Sequence, residues 1–281
     1  MRQQTDSLPI PPGKPSLPKY ARLPVNRCNY PAIILGSITF QQHPEALFLD
    51  HVLTFNRYLF DRLDVLETTE ERAQLFDEYM QVSFLLGHPD EVGFQESRQK
   101  IKRHKLDYKK ILRGWMFDSD SREGAVLKGW VESRFGLVTR NHKGPIKDQE
   151  SKNHLEFTQE RCQGLYNTNG IESQLDLLYT FCQYELQRRS APLHFKLYRG
   201  TNSLSQYDSF STDSGKTQTV LLNNLTSFSD DQTISDSFGD HVVSCSVPFS
   251  KLFYFPGLLP NILKCEKEYL VLGGMYQIGV I

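Results

Sequence analysis

The chain has 281 residues, with 32 Lys plus Arg against 33 Asp plus Glu, a formal net charge of -1 and 39% hydrophobic residues. That balance describes a globular protein of one or two domains with a real core, and it offers no global field for nucleic acid or an anionic membrane. No apolar stretch approaches the ~20 residues of a spanning helix, and Met1 to Asp6 lead into prolines rather than a secretory signal, so a cytoplasmic location is expected.

Half of the 14 prolines fall within the first 31 residues. Each fixes φ and removes a backbone donor, so residues 1–43 read as a Pro-rich extended arm laid on its own domain. From residue 44 to 190 the pattern is mainly helical. Leu49, Val52, Leu53, Leu59, Phe60, Leu63 and Leu66 recur at spacings of three and four. Thr68 and Glu71 form a capping box for a stripe of Leu75, Tyr79, Val82 and Leu86, which Gly87 can end. Tyr108, Ile111, Leu112 and Trp115 mark another helix. Ser119 or Asp120 can cap the next, which carries Val126, Leu127, Trp130, Val131 and Phe135 up to Gly136. Such stripes are read as core.

Thr139 to Asn153 is polar, contains Gly-Pro and lacks periodicity, so a long loop is expected. One more amphipathic helix lies between Glu172 and Arg189. Residues 191–281 change character: His194–Arg199, Thr217–Leu222, His241–Val247, Glu268–Leu272 and Met275–Ile281 are short, rich in β-branched and aromatic residues, and separated by turn residues. The fold class is therefore α+β, helices first and strands last. Cys28, Cys162, Cys182, Cys245 and Cys265 are widely spaced and read as buried free thiols, and the histidines show no ligand spacing, so no metal site is expected.

Three features in the strand-rich part carry chemistry. Arg199-Gly200 ends a strand: the guanidinium can fork onto a phosphate, and the glycine lets a ligand approach the backbone. In most proteins a surface salt bridge followed by a turn explains such a pair. In Ser227-Phe228-Ser229, alternation puts both hydroxyls on one face, where they could hold a carboxylate or ribose, or where Ser229 or Asp230 could cap a helix. Glu266 and Glu268 share a strand face about 7 Å apart. One carboxylate can stabilise an oxocarbenium ion while the other orients a nucleophile, or both can mark a solvated strand end.

Taken in order, Arg199, Ser227-Phe228-Ser229 and Glu266-Lys267-Glu268 resemble the arginine-serine-glutamate signature of ADP-ribosyltransferases, and the Glu-x-Glu form resembles the arginine-modifying branch. The segment from Asn29 to Ser37 (NYPAIILGS), with Phe40-Gln41 after it, resembles one family in particular, the dinitrogenase reductase ADP-ribosyltransferases, and the likeness covers nearly the whole chain. It implies a helical N-terminal half followed by two small packed β-sheets with an NAD cleft. Arg199 would contact NAD phosphate and ribose, and Gly200 would offer backbone to the nicotinamide amide. Ser227, with Ser229 as companion, would support the catalytic glutamate. Glu268 would bind the ribose 2'-hydroxyl and stabilise the oxocarbenium ion as nicotinamide departs, and Glu266 would position the target guanidinium. Phe238 could stack on nicotinamide or belong to the core.

Phe228 departs from the threonine usual at the centre of the serine motif. The segment from Phe253 to Lys264 resembles the loop that recognises the acceptor. The implied function is transfer of ADP-ribose from NAD, as co-substrate, to an arginine of dinitrogenase reductase, a glycosyltransferase-class reaction that switches off nitrogen fixation. A PII-type signalling protein, with ADP, is the implied regulator, docking on the helical half or the loop from Thr139 to Asn153. The alternatives are a transferase or NAD glycohydrolase with another acceptor, and a non-catalytic nucleotide-sensing module. Nucleic acid and membrane insertion are not expected partners.

Overall fold

The computed structural model describes residues 16–86, 106–166, 168–204, 207–213, 217–260, 262 and 267–281. Gly87, Cys265 and Glu266 lie outside them. In the N-terminal segment a 3-10 turn at Lys19–Ala21 precedes α1 (Ala32–Leu35) and α2 (Ile38–Gln42). The described part of the expected extended arm is therefore interrupted by two short helices. Pro31 stands just ahead of α1, where its missing N–H costs no helical bond, and the Ser37 hydroxyl accepts from the Phe40 N–H to start α2.

Then follow α3 (Val52–Phe55), α4 (Arg57–Asp64), α5 (Thr69–Ser83), α6 (Tyr108–Phe117), α7 (Arg122–Phe135), α8 (Lys152–Leu165) and α9 (Ile171–Arg188). The capping box at Thr68 and Glu71 is present. The helix it starts ends at Ser83, ahead of Gly87, and its chain turns at Leu85 with φ of 48°. The cap of α7 is Ser121, not Ser119 or Asp120; its hydroxyl accepts from Gly124 N at 3.1 Å. Gly136, at φ 69°, closes that helix in the left-handed conformation a glycine takes without strain. No apolar stripe announces α8, because only Phe157 and Gly164 are buried along it.

The strands are β1 (His194–Thr201), β2 (Asp208–Asp213), β3 (Thr217–Ser229), β4 (His241–Pro248), β5 (Leu252–Tyr254) and β6 (Glu268–Val280), with α10 (Gln232–Asp236) between β3 and β4. All pairs are antiparallel, in the order β2-β3-β1-β4-β6-β5, and a further β3–β6 pairing joins distant members of that order. The described strands thus form one connected sheet rather than two separate ones. The physical reason is length. β3 and β6 have 13 residues each, and each serves different neighbours along its two halves, bending at a register shift between Leu222 and Leu225. The two terminal strands expected from sequence merge into β6 through Gly273-Gly274. Gly274 has φ of 115°, and its bare backbone lets Gly36 pack against the strand, with Met275 N donating to Gly36 O at 2.8 Å.

The main apolar core runs from Leu17 to Ile278, with a small satellite of Ala125, Ile146 and Phe157. Gln41 of α2 is inserted between β4 and β6: its amide donates to Ser246 O and Gln277 O, both at 3.1 Å, and accepts from Gln277 N at 2.8 Å. From α9, Tyr179 donates to Ser250 O at 2.8 Å and Gln183 to Leu252 O at 2.7 Å. Cys28, Cys182 and Cys245 are buried free thiols, whereas Cys162 is exposed. No helix among the described residues is long and apolar enough to cross a membrane.

Candidate active site

The pairing of β3 with β6 sets Ser229 directly opposite Glu268 and leaves Ser227 diagonal to it, on the same face of the sheet. Glu268 opens β6 and is 7% exposed. Its Oε1 accepts a short hydrogen bond from the Ser227 hydroxyl and another, of 3.2 Å, from the Trp115 indole, which also donates to Ser227 Oγ at 2.9 Å. Phe228 is core, 3% exposed, yet it also lines the cleft between the two serines, so a ring stands there in place of the hydroxylated residue.

Arg199, on β1, donates to Ser227 O at 2.8 Å and to the Tyr207 hydroxyl at 3.3 Å. Its guanidinium is thus braced beside the serine while still lining the open cleft. Gly200 has a structural duty as well. A Cβ there would stand 2.1 Å from Ser235 O and 3.1 Å from the Phe238 Cβ, so the missing side chain is what lets α10 lie against β1. Ser229 Oγ accepts from Asp231 N at 3.1 Å, and the cap of α10 is Asp231, whose carboxylate accepts from Thr233 N and Ile234 N. The helix-capping alternative therefore holds in part, with the cap at Asp231 rather than at Ser229 or Asp230. Phe238, at the end of this unit, is 58% exposed and lines the cleft. It is not core.

These groups line a cleft of about 370 Å³. Trp115 to Ser119, from α6 and the turn after it, line it too, with Phe117 92% exposed. A second cavity of about 260 Å³ adjoins it and shares Trp115, Ser119, Arg199 and Ser227. Arg140, Asn141 and Lys147 of the expected long loop line this cavity. The loop is tied down: Asn223, in the β3 irregularity, accepts from Arg140 N at 2.8 Å and donates to Asn141 O at 3.0 Å. Lys128 of α7 lies at the same place, its side chain 2% exposed, donating to Asp120 at 2.7 Å and Asn141 O at 3.1 Å. Burial pushes this ammonium below the ordinary lysine value, and Asp120 opposes that shift. Among the described residues no His, Cys, Asp and Glu cluster is arranged to hold a metal ion.

A carboxylate fixed by a serine, an arginine braced next to that serine and an exposed aromatic ring face one cleft, an arrangement able to bind a phosphate-bearing nucleotide and to stabilise positive charge at its sugar. The model of the dinitrogenase reductase ADP-ribosyltransferase (DRAT) family matches residues 25–280. The chain belongs to this family. It is also 36% identical, over 256 residues, to a Rhodospirillum rubrum protein named NAD(+)--dinitrogen-reductase ADP-D-ribosyltransferase, covering 90% of this chain and 93% of that relative. No solved structure matches it.

Of the residues singled out in the sequence, Arg199, Gly200, Ser227, Ser229, Phe238 and Glu268 meet at the family member's cleft. Within the segment from Phe253 to Lys264 the three aromatics belong to the core, while Asn261, Leu263 and Lys264 lie outside the described residues. Phe253 and Tyr254 are fully buried, Phe255 is 5% exposed, and Phe253 packs 5.0 Å from the Trp130 ring, so none of the three is presented to an acceptor. What the sequence concealed is Trp115. Its place in an apolar helical stripe is that of a core residue, and only its polar N–H, which a buried indole must pair, could have signalled another duty.

Proposed function

We propose that the chain is a mono-ADP-ribosyltransferase that takes ADP-ribose from NAD and transfers it to an arginine side chain of dinitrogenase reductase. The observation that carries the reading is Glu268, buried at the cleft floor with Ser227 and Trp115 donating to one carboxylate oxygen, in a chain of this family. The relative's name supports NAD as co-substrate and dinitrogenase reductase as acceptor. The residues fit the donor. Arg199 offers a guanidinium for phosphate, Phe238 an open ring face for nicotinamide, and Glu268 a negative charge for the ribose.

Nicotinamide is a neutral leaving group, and positive charge develops at the ribose as its bond breaks. Glu268 stabilises that charge in a partly water-excluded site, where a fixed carboxylate is worth more than in bulk solvent. Arg199, held by Ser227 O and Tyr207, anchors the phosphates without moving during the step. A guanidinium with pKa above 12 is a poor nucleophile while charged, so a second carboxylate must hold it and take its proton. Glu266, two residues before Glu268, is assigned that role on its spacing. Modification of the iron protein would switch off nitrogen fixation, and the family resemblance supports a PII-type protein, with ADP, as regulator.

Labelled NAD and reduced dinitrogenase reductase, with and without PII protein and ADP, test the reading together with two variants. Glu268→Gln lowers both transfer and NAD hydrolysis by orders of magnitude. Glu266→Gln lowers arginine transfer far more than hydrolysis. Near-normal transfer by Glu268→Gln, or equal losses of both activities in Glu266→Gln, would overturn the respective assignments. Label on other proteins but not on dinitrogenase reductase would retain the chemistry and replace the acceptor.

A further inference from the structure

We propose that Trp115, supplied by the helical half, is a positioning residue for Glu268 in the transfer reaction. The inference rests on the transferase reading above. An indole N–H can only donate and does not titrate near neutral pH. Ser227 Oγ, 2.9 Å from Trp115 Nε1, must therefore turn a lone pair to the indole, which leaves its single proton for Glu268 Oε1. The same indole reaches Oε1 itself at 3.2 Å. A serine hydroxyl alone rotates freely. The donor-only partner removes that freedom and fixes one direction along the chain from Trp115 through Ser227 to Glu268.

The indole is itself immobilised. Trp115 is 3% exposed on the buried face of α6, beside Ile111 and Leu112. The Lys128 ammonium lies 5.8 Å from its ring centroid, and Asp120 and Asn141 O hold that ammonium in turn. A cation over the ring face is attracted by the ring quadrupole and helps hold the indole in place. Trp115 is also part of the cleft wall. A displacement of α6 would thus reach Glu268 through two hydrogen bonds, which gives the helical half a direct hold on the reacting carboxylate.

The chain has two tryptophans, and Trp130 donates to Asp176 Oδ1 at 2.7 Å, neither residue being among those that line the cleft. Two indole N–H resonances are therefore expected in a nitrogen-15 correlation spectrum of the full chain. Ser227→Ala and Glu268→Gln shift the Trp115 resonance and leave that of Trp130 in place; an unmoved Trp115 resonance in both variants overturns the proposal, whether or not the wild-type protein turns over NAD. For nicotinamide release from NAD, removing the donor by Trp115→Phe lowers kcat about 10- to 100-fold with KM within about twofold. Site-specific benzothienylalanine, which keeps the ring outline but has sulfur in place of N–H, gives the same loss. Full activity with that isostere shows a packing role alone and overturns the proposal. So does a Trp115→Phe loss that is undiminished in a Ser227→Ala background. Absence of nicotinamide release from the wild-type protein defeats the transferase reading instead, while the indole resonances still decide the hydrogen bonds.

Discussion

Gly200 carries two demands at one position. The arginine-glycine pair reads in sequence as a ligand-facing strand end, yet its backbone is pressed against Ser235 O and Phe238 of α10. Gly200→Ala forces a Cβ to within 2.1 Å of a backbone oxygen, so α10 must shift. The expected result is a loss of about 1–3 kcal/mol in denaturant unfolding together with a raised KM for NAD, since Phe238 moves with the helix. A destabilised variant with an unchanged KM would separate Phe238 from nucleotide binding. At this scale the sequence displayed the polar site residues well, because charge and hydroxyls have few reasons to collect on one strand face. It hid Trp115, whose apolar bulk satisfies the helical stripe while its N–H serves the cleft.

Among the elements, α10 is the one whose stability is felt at the site. It has only five residues and depends on the Asp231 cap, which also pairs with Lys267 at 3.2 Å. The Lys267 hydrogen bond, followed by those from Ile234 N and Thr233 N, holds the Asp231 carboxyl below the ordinary aspartate range. A carboxylate with a lowered folded pKa contributes stability that is complete above the unfolded value of about 3.9 and is lost as pH falls through the folded one. Asp231→Ala should therefore raise the KM for NAD at neutral pH, and the difference from wild type should shrink only as pH falls below the ordinary aspartate value and through the lowered folded one, where the wild-type cap protonates; nucleotide-binding titrations across that range check it. An equal KM in the two proteins at neutral pH would show that α10 keeps its place without the cap. Helices with a strong stripe or capping box, such as α5, α6 and α7, were legible in the sequence. Long β6 and stripeless α8 were not, since the first runs through two glycines and the second buries little of its surface.

In the whole molecule, the strand-rich part reads in sequence as a catalytic core of residues 191–281, but its interior is filled from outside that range. Gln41 satisfies backbone groups of β4 and β6, Gly36 O accepts from Met275 N, and Trp130 covers Phe253. A chain limited to residues 191–281 would expose this surface and leave those strand groups to water. We expect it to be unfolded or aggregated, with poor amide dispersion by NMR. A well-dispersed spectrum from that fragment would show the helical half to be dispensable for folding. The order of fold elements, the polar residues of the cleft and the family likeness follow from the sequence alone, because periodicity, caps and ordered motifs are local properties of a chain. That the strands join in one sheet, that Phe253 to Phe255 are buried and that an indole from the helical half grips Glu268 were decided by tertiary structure. Each depends on which surfaces of segments distant in the chain meet, and the burial of a side chain is a property of its neighbours in space.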